Sequence, residues 1–408
     1  MRVEGVGKSG AAGVDGFAVP RETFKVKSLP FITRPGARFA CSLSGVCCGD
    51  IHGLGLVTQS EVRTLRKRDK LAVVYNEELE GYCMRPVEGR CMFVLEDQKC
   101  GIHAVSGSYA KPAGCRRFPY GLIRTPFGGR ITTEHRCACR TLGDRPPVNV
   151  ADAEFSLRDQ RGRLEADSDA PKKVHLKKGL KVPFEKYLVV EAHIIERLNA
   201  GERAETVLAA KALPELEASS WAAVAAEHIA LSDQTSGSYA YAWFGDALLN
   251  LAEGHVPPAR PRPWAEGFER ARRSGSEEPD PEAIYNDWIA DEIWMFRWLG
   301  WGPFDVARSE LVTRLAIARR VQSWMEQQGV HPGQAAAEAV MMCELAAEGS
   351  EWPSAVATIV RDPSPAEPLP LELLGSRRQL EAARGLPQLQ AANAHADVLK
   401  EQAIRAHK

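Results

Sequence analysis

Long apolar runs are missing from this chain. No stretch approaches the ~18–20 apolar residues that span a bilayer. The opening "MRVEGVGKSGAAGVDGF" has no apolar core of the length a secretory signal needs. The expectation is a protein with no membrane span and no membrane partner, in the cytoplasm, where thiols stay reduced. A net charge is also missing: 52 Lys and Arg stand against 53 Asp and Glu, giving −1. No global field therefore draws nucleic acid or an anionic membrane. The basic runs "RTLRKRDK" (63–70) and "KKVHLKKGLK" (172–181) lack interleaved aromatics that could stack on bases. Each reads as a solvated face, and no nucleic-acid partner is expected.

The common catalytic signatures are absent as well. There is no G-x-S-x-G elbow and no H-E-x-x-H. "GVGKSG" imitates a phosphate loop, but the pattern needs a glycine five positions before Gly7, and Arg2 stands there. No glycine-rich strand–turn–helix announces a dinucleotide or Rossmann-type cofactor fold. The residues alone name no catalytic group.

What the chain does have is cysteine, unevenly placed. Nine of ten fall in the first 140 residues: Cys41, Cys47, Cys48, Cys83, Cys91, Cys100, Cys115, Cys137 and Cys139. The tenth, Cys343, sits in "AVMMCELAA", an apolar helical context, and reads as a small core residue. "FACSLSGVCCGD" packs three thiols into eight positions, two of them adjacent. Neighbouring cysteines make a strained disulfide, which leaves a metal, a redox pair or distant bridges. Two C-x2-C knuckles would mark a zinc site, and no C-x2-C occurs. The steps are C-x5-C-C, then Cys91 and Cys100 with eight residues between them, then Cys115, then C-x-C. Irregular steps suit ligands gathered from several loops. An iron–sulfur cluster accepts that, because each iron needs one thiolate and inorganic sulfide completes its coordination. Cys41, Cys47, Cys48, Cys91, Cys100, Cys115, Cys137 and Cys139 supply eight candidate ligands, enough for one four-thiolate centre or two. Iron–sulfur, structural zinc and free buried thiols all remain open on spacing alone. Arg116 and Arg117, directly after Cys115, are the candidates to offset cluster charge and donate hydrogen bonds to sulfur. His103 and His135 are assigned hydrogen-bonding or surface roles.

The chain reads as α+β. Its 408 residues allow two or three domains, and 44% hydrophobic with 26% charged residues is ordinary for a protein with a real core. Residues 1–35 read as a loose arm with one short strand at "FKVKSL". Residues 36–142 read as a small irregular domain of short segments. In it Thr58 and Glu61 form a capping box at the start of a helix, and "KLAVVY" is a strand. "CMFVL-EDQK-CGIH" reads as a hairpin, and "RRFPYGLI-PFGG-RITTEH" as two extended segments around a turn. "GDRPPVNVADAEF" breaks regular structure and opens a linker over 143–182. Residues 183–362 read as a helical domain: "PFEKYLVVEAHIIERLNAG" runs from Pro to Gly. Residues 281–300 are apolar over more than one face and predict a central helix. Ala307, Leu311, Leu315, Ala318, Val321 and Met325 form one apolar stripe. "HVPPARPRPW" (255–264) is a connector, and 363–408 a tail. Trp288, Trp294, Trp298, Trp301 and Trp324 are expected in the core.

The ordered blocks "FACSLSGVCC", "CMFVLEDQKCGIH" and "PAGCRRFP" resemble the YkgJ-type cysteine-cluster family of zinc- or iron-chelating proteins. Cys41, Gly45, Cys47 and Cys48 match its first block. Cys91, Phe93 and Leu95 approximate the second, and Cys100 and Ile102 the third. Pro112, Cys115, Arg116, Phe118 and Pro119 match the last. Ser44 stands where that family has a cysteine, so another thiol must replace it, with Cys137 and Cys139 the candidates; His103 stands where it usually has Tyr. The match covers about a quarter of the chain. Total length and the helical second half extend the likeness, more weakly, to flagellin lysine-N-methylases. That resemblance implies methyl transfer from S-adenosylmethionine to a lysine of a protein such as flagellin; the cofactor expected from the cysteines themselves is a 4Fe–4S cluster or zinc. Two other readings stay beside it: a non-enzymatic protein whose zinc staples an interaction surface, and a metal carrier.

Overall fold

The computed structural model describes residues 30–359, apart from 53–55, 78–79, 160–161, 215, 217–219, 232–234 and 350. The predicted strand at 24–29, most of the arm and the tail over 363–408 lie outside the described residues. The architecture is α+β: short strands and helical turns in the first half, long packed helices in the second.

Strand β1 (Phe31–Thr33) runs parallel to β8 and so ties the end of the predicted arm into a sheet. β2 (Leu56–Val57) leads into α1 (Gln59–Arg68), where the capping box forms as the sequence predicts. Glu61 Oε2 accepts the Thr58 N–H at 2.7 Å, and Glu61 Oε1 also accepts the Ala113 N–H at 2.7 Å. One buried carboxylate therefore closes α1 and fixes the start of a later helix. β3 (Val73–Asn76) and β2 flank β4 (Gly81–Met84) in an antiparallel sheet. β5 (Pro86–Val87) pairs with β6 (Arg90–Cys91).

The predicted hairpin over 91–103 does not form as drawn. A tight loop folds back after Cys91: Leu95 N–H bonds Lys99 O, and Gly101 N–H bonds Phe93 O. The second arm is instead a helix, α2 (Gly101–Ser106), with Cys100 at its N-cap. The segment is too short to alternate, and only Ile102 on it is deeply buried. Helix α3 (Ala113–Arg117) follows and carries Cys115.

β7 (Tyr120–Thr125) and β8 (Gly128–Thr133) are the two extended segments read from the sequence, antiparallel and in register from Tyr120 opposite Thr133. Helix α4 (Ala138–Thr141) is a single turn that carries Cys139, with Cys137 at its N-cap. The Pro pair does end regular structure, but only briefly. Asn149 caps α5 (Val150–Leu157) through hydrogen bonds from Ala151 and Asp152 N–H. β9 (Ser168–Asp169) joins the sheet beside β7, giving the order β1-β8-β7-β9. β10 (Lys173–Lys177) and β11 (Leu180–Pro183) form a hairpin. Val174 and Leu176 face the core, and alternation leaves Lys173, His175 and Lys177 exposed.

The helices α6 (Phe184–Asn199), α7 (Ala204–Leu208), α8 (Trp221–Ala230), α9 (Ser236–Glu253), α10 (Ala265–Arg273), α11 (Pro281–Met295), α12 (Phe304–Gln327), α13 (Pro332–Glu348) and α14 (Glu351–Ile359) complete the fold. α11 is central, as its apolar faces predict: Tyr285, Trp288, Ile289, Ala290 and Ile293 are fully buried. Trp294 and Trp298 join them, Trp301 is buried, and Trp324 packs at the edge. Cys343 is fully buried on α13, as expected. The main apolar core is continuous with the first half of the chain, because Val46, Ile51, Ile123, Ala138 and Leu142 belong to it. A smaller core gathers Val62, Leu65, Met84, Cys91 and Ile102, with Cys48, Cys100 and Cys115 packed against it. Among the described residues no helix is long and apolar enough to cross a membrane.

Candidate metal centre

Seven of the eight candidate thiols line one cavity of about 530 Å³: Cys41, Cys47, Cys48, Cys100, Cys115, Cys137 and Cys139. Cys91 stands behind the wall, in the smaller core. All ten cysteines of the chain are free thiols.

Each thiol is held by an identifiable device. Cys47 and Cys48 sit on a 3₁₀ turn, Val46–Cys48, that follows Gly45 in the left-handed region (φ 78°). Val46 anchors that turn in the main core. Arg270 on α10 donates to Ser44 O at 2.7 Å, and Gly267 on the same helix lets Val46 approach closely. Leu43 takes a positive φ of 60°, rare for a residue with a branched side chain, and its backbone N–H donates to the Cys41 sulfur. The Gly49–Arg90 bridge lays the turn beside Cys91, and the Val94–Cys100 bridge closes the fold-back loop. Phe93 N–H donates to the Cys91 sulfur.

The C-x-C turn is fixed from the helical side. His135 Nε2 lies 2.9 Å from Asp291 Oδ2, and Arg136 N–H donates to Glu344 Oε2 at 2.7 Å. Arg140, directly after Cys139, donates to Asp287 Oδ2 and Asp291 Oδ2, each at 2.5 Å. Arg34 donates to the same two carboxylates. Asp287 and Asp291 are one turn apart on α11, so one helix face grips the segment after β1 and the segment after β8. His135, Asp287 and Asp291 have ligand atoms within 4.8 Å of one another. That triad is not a metal site, because two guanidinium groups already neutralise its carboxylates. Burial together with Arg140 pushes the His135 imidazolium down, so the ring is neutral and donates to Asp291.

The thiols also perturb one another. The Cys139 sulfur is the acceptor of hydrogen bonds from Cys137 and Cys41 and lies 3.2 Å from Ser42 Oγ and 3.3 Å from Ser44 Oγ. Those donors hold Cys139 well below the usual thiol range. Cys41, Cys47 and Cys137 are pushed up, first by a neighbouring sulfur; burial adds to this for Cys137, whereas Cys41 and Cys47 are exposed. Burial pushes Cys115 up to about 12. Without a cation, this many thiolates cannot coexist so close together. Bound metal removes that conflict by taking the sulfurs as thiolates.

The donor set fits such a group. Arg116 lines the cavity, is 6% exposed and lies over Tyr109; its buried Nε has no hydrogen-bond partner. Arg117 turns away and donates to Glu165 O and Asp167. The cation that joins Arg116 in the cavity is Lys111, which makes no ion pair among the described residues and draws the Cys47 and Cys115 thiols down. No sequence signal marks it, because a lone lysine before a proline looks like any surface residue. His103 is exposed at the cavity lip, and His135 is buried. The far wall, which no motif announces either, is Phe39, Tyr120, Phe155 and the exposed carboxylate Asp152; Phe39 meets Tyr120 edge-on at 5.3 Å.

Comparison with protein-family models, with curated proteins and with solved structures found no match to this chain. The functional reading therefore rests on the cavity itself.

Proposed function

We propose that the chain is a metal-cluster protein, with an iron–sulfur centre held by the cavity thiols. The observation that carries this reading is the convergence of seven candidate thiols, from separated segments, on one cavity that also receives Lys111 and an unpartnered Arg116 Nε. Cations beside thiolates offset the negative charge of a cluster and can donate to sulfur. The spacing favours a cluster over a single zinc. Four thiolates on one zinc stand ~3.8 Å apart, from a Zn–S bond of ~2.3 Å in a tetrahedron. Among the described residues no three thiols come within 4.8 Å of one another. Thiolates on the separate irons of a cluster are spread more widely.

The reaction proposed is methyl transfer from S-adenosylmethionine to a lysine of a protein such as flagellin, the activity that the family resemblance implies. The far wall supports a cationic guest, since aromatic faces and a carboxylate attract an ammonium or sulfonium group. When bound, the cluster supplies an iron that can hold and polarise the cofactor. The chain's own residues orient the guest through Asp152, Tyr120 and Phe155.

Anaerobic purification tests the first part. A brown protein with a broad band near ~400 nm and equimolar iron and sulfide supports it. A colourless protein with one zinc would replace it with the zinc-stapled interaction protein. Methyl transfer to flagellin lysines, read by mass spectrometry and abolished in Cys47→Ala, tests the second. Full activity in a metal-free Cys47→Ala protein would end the catalytic reading.

A further inference from the structure

The eight thiols divide in space into two groups. Cys41, Cys137 and Cys139 form the first: all three line the cavity, and Cys139 Sγ lies 3.2 Å from Oγ of Ser42, the residue beside Cys41. They belong to the loop after β1 and to the C-x-C turn, which the helical core holds. Cys91, Cys100 and Cys115 form the second, clustered around the smaller core with Cys48 packed beside them. Packing places Cys48, and not Cys47, against the same small core as Cys91, Cys100 and Cys115. Cys47 interacts most strongly with Cys48 beside it and, more weakly, with Cys139, and it lines the same cavity as Cys41, Cys137 and Cys139. The adjacent pair therefore stands at the seam between the groups.

We propose two metal centres, one in the cavity bound by Cys41, Cys47, Cys137 and Cys139, and the other at the wall between the cavity and the smaller core, bound by Cys48, Cys91, Cys100 and Cys115. The inference rests on the metal-binding reading of the same cavity. It explains why two cysteines are adjacent. On a 3₁₀ turn successive side chains leave the axis ~120° apart, so neighbours can serve different centres. Two-cluster ferredoxins likewise draw ligands for two clusters from one short stretch. It also accounts for the polar dressing of the first group. A buried free thiol behaves as a small apolar side chain and needs little more than packing. Cys139 instead meets two hydroxyls of the Cys41 loop: its sulfur lies 3.2 Å from Ser42 Oγ and donates to Ser44 Oγ at 3.3 Å.

Metal content of the full chain, reconstituted anaerobically with iron and sulfide in the presence of zinc, decides the matter. Two cubane clusters give ~8 iron and ~8 sulfide per chain, and a cluster with one zinc gives ~4 iron and ~1 zinc. Either result supports two centres. The content of a single centre overturns the partition but leaves the metal-binding reading standing; no metal at all overturns both. Cys139→Ser and Cys47→Ser should each halve the metal by emptying the first centre. Cys115→Ser and Cys48→Ser should empty the second, leaving the complementary half. If Cys139→Ser and Cys115→Ser each strip all metal while keeping wild-type helicity, or if Cys48→Ser follows Cys139→Ser, the partition is wrong.

Discussion

Asp291→Asn removes one negative charge from a buried ionic network and changes little else. Asp291 is 1% exposed and holds Arg34 and Arg140, which are 2% and 0% exposed. In the variant both guanidinium groups must share Asp287. Leaving a buried charge without its partner costs about 3–5 kcal/mol, a large fraction of the ~5–15 kcal/mol that holds a typical domain folded. Asparagine keeps the side chain's shape, so the loss reports charge rather than a void. The pH dependence sharpens the test. Burial pushes the Asp291 carboxyl up, but Arg34 and Arg140 outweigh it and hold the group well below the usual carboxylate range. A depressed folded pKa means that the unfolded chain binds the extra proton. The contribution is therefore whole above the unfolded carboxylate value of ~3.9 and fades as pH falls toward the folded one. Urea midpoints read by tryptophan fluorescence should drop at pH 7, and the wild-type and Asp291→Asn curves should converge below pH ~4. Bound metal should fall as well, because Arg140 follows Cys139. A variant within ~1 kcal/mol of wild type at pH 7, with an unchanged acid limb, would refute the claim that α11 grips the C-x-C turn by charge.

Two further variants separate packing from titration. Burial pushes the Glu344 carboxyl up to about 8 against the pull of Arg297. The native state thus keeps a proton that the unfolded chain has lost, and stability falls as pH rises from ~4.5 toward that value. Glu344→Gln should remove this slope, gaining on wild type by at most ~1.4 kcal/mol per pH unit; equal shifts in urea midpoint at pH 5.5 and pH 8 would count against it. Gly267→Ala drives a methyl group into Val46 Cγ2, well inside contact distance, and sets it 3.2 Å from Ser44 O. It should cost about 1–3 kcal/mol and lower metal retention by displacing the Cys47–Cys48 turn, whereas wild-type metal content would show that α10 does not set that turn.

Local signals were legible where a few neighbouring residues decide the outcome. The Thr58–Glu61 box, the extended pair over 120–133 and the apolar periods of α6, α11 and α12 all depend on short-range chemistry. The fold-back after Cys91 was not legible, because it is set by pairing across the Gly49–Arg90 and Val94–Cys100 bridges. The ionic network was hidden for a similar reason, as Arg34 and Asp291 lie 257 residues apart. One signal did point to it. Asp287 and Asp291 sit four residues apart on a helix with no polar face, so at least one had to be buried and therefore paired. The same logic applies to Glu292, 1% exposed and ion-paired to Arg314 at 2.7 Å. Acidic residues in an all-round apolar helix mark long-range cationic partners, and arginines elsewhere in the chain supply them.

If the family resemblance holds, Ser44 stands in place of a cysteine, and the question is which thiol would serve instead. The sequence could offer only Cys137 or Cys139 as substitutes, with nothing to choose between them. In the fold, Cys139 Sγ lies 3.3 Å from Ser44 Oγ, so the sulfur stands within one contact distance of where a cysteine at 44 would put its own. Keeping Cys139 there requires a buried turn, and that turn is held where Arg140 donates to Asp291 of α11 and the Arg136 N–H donates to Glu344 of α13. The long helices would thus take a direct part in the proposed metal site. They supply the rigid surface against which a displaced ligand can be held in register with the loop it serves. On this argument Ser44→Cys restores a sulfur beside one already in place, and it should bind no more metal per chain than the wild-type protein.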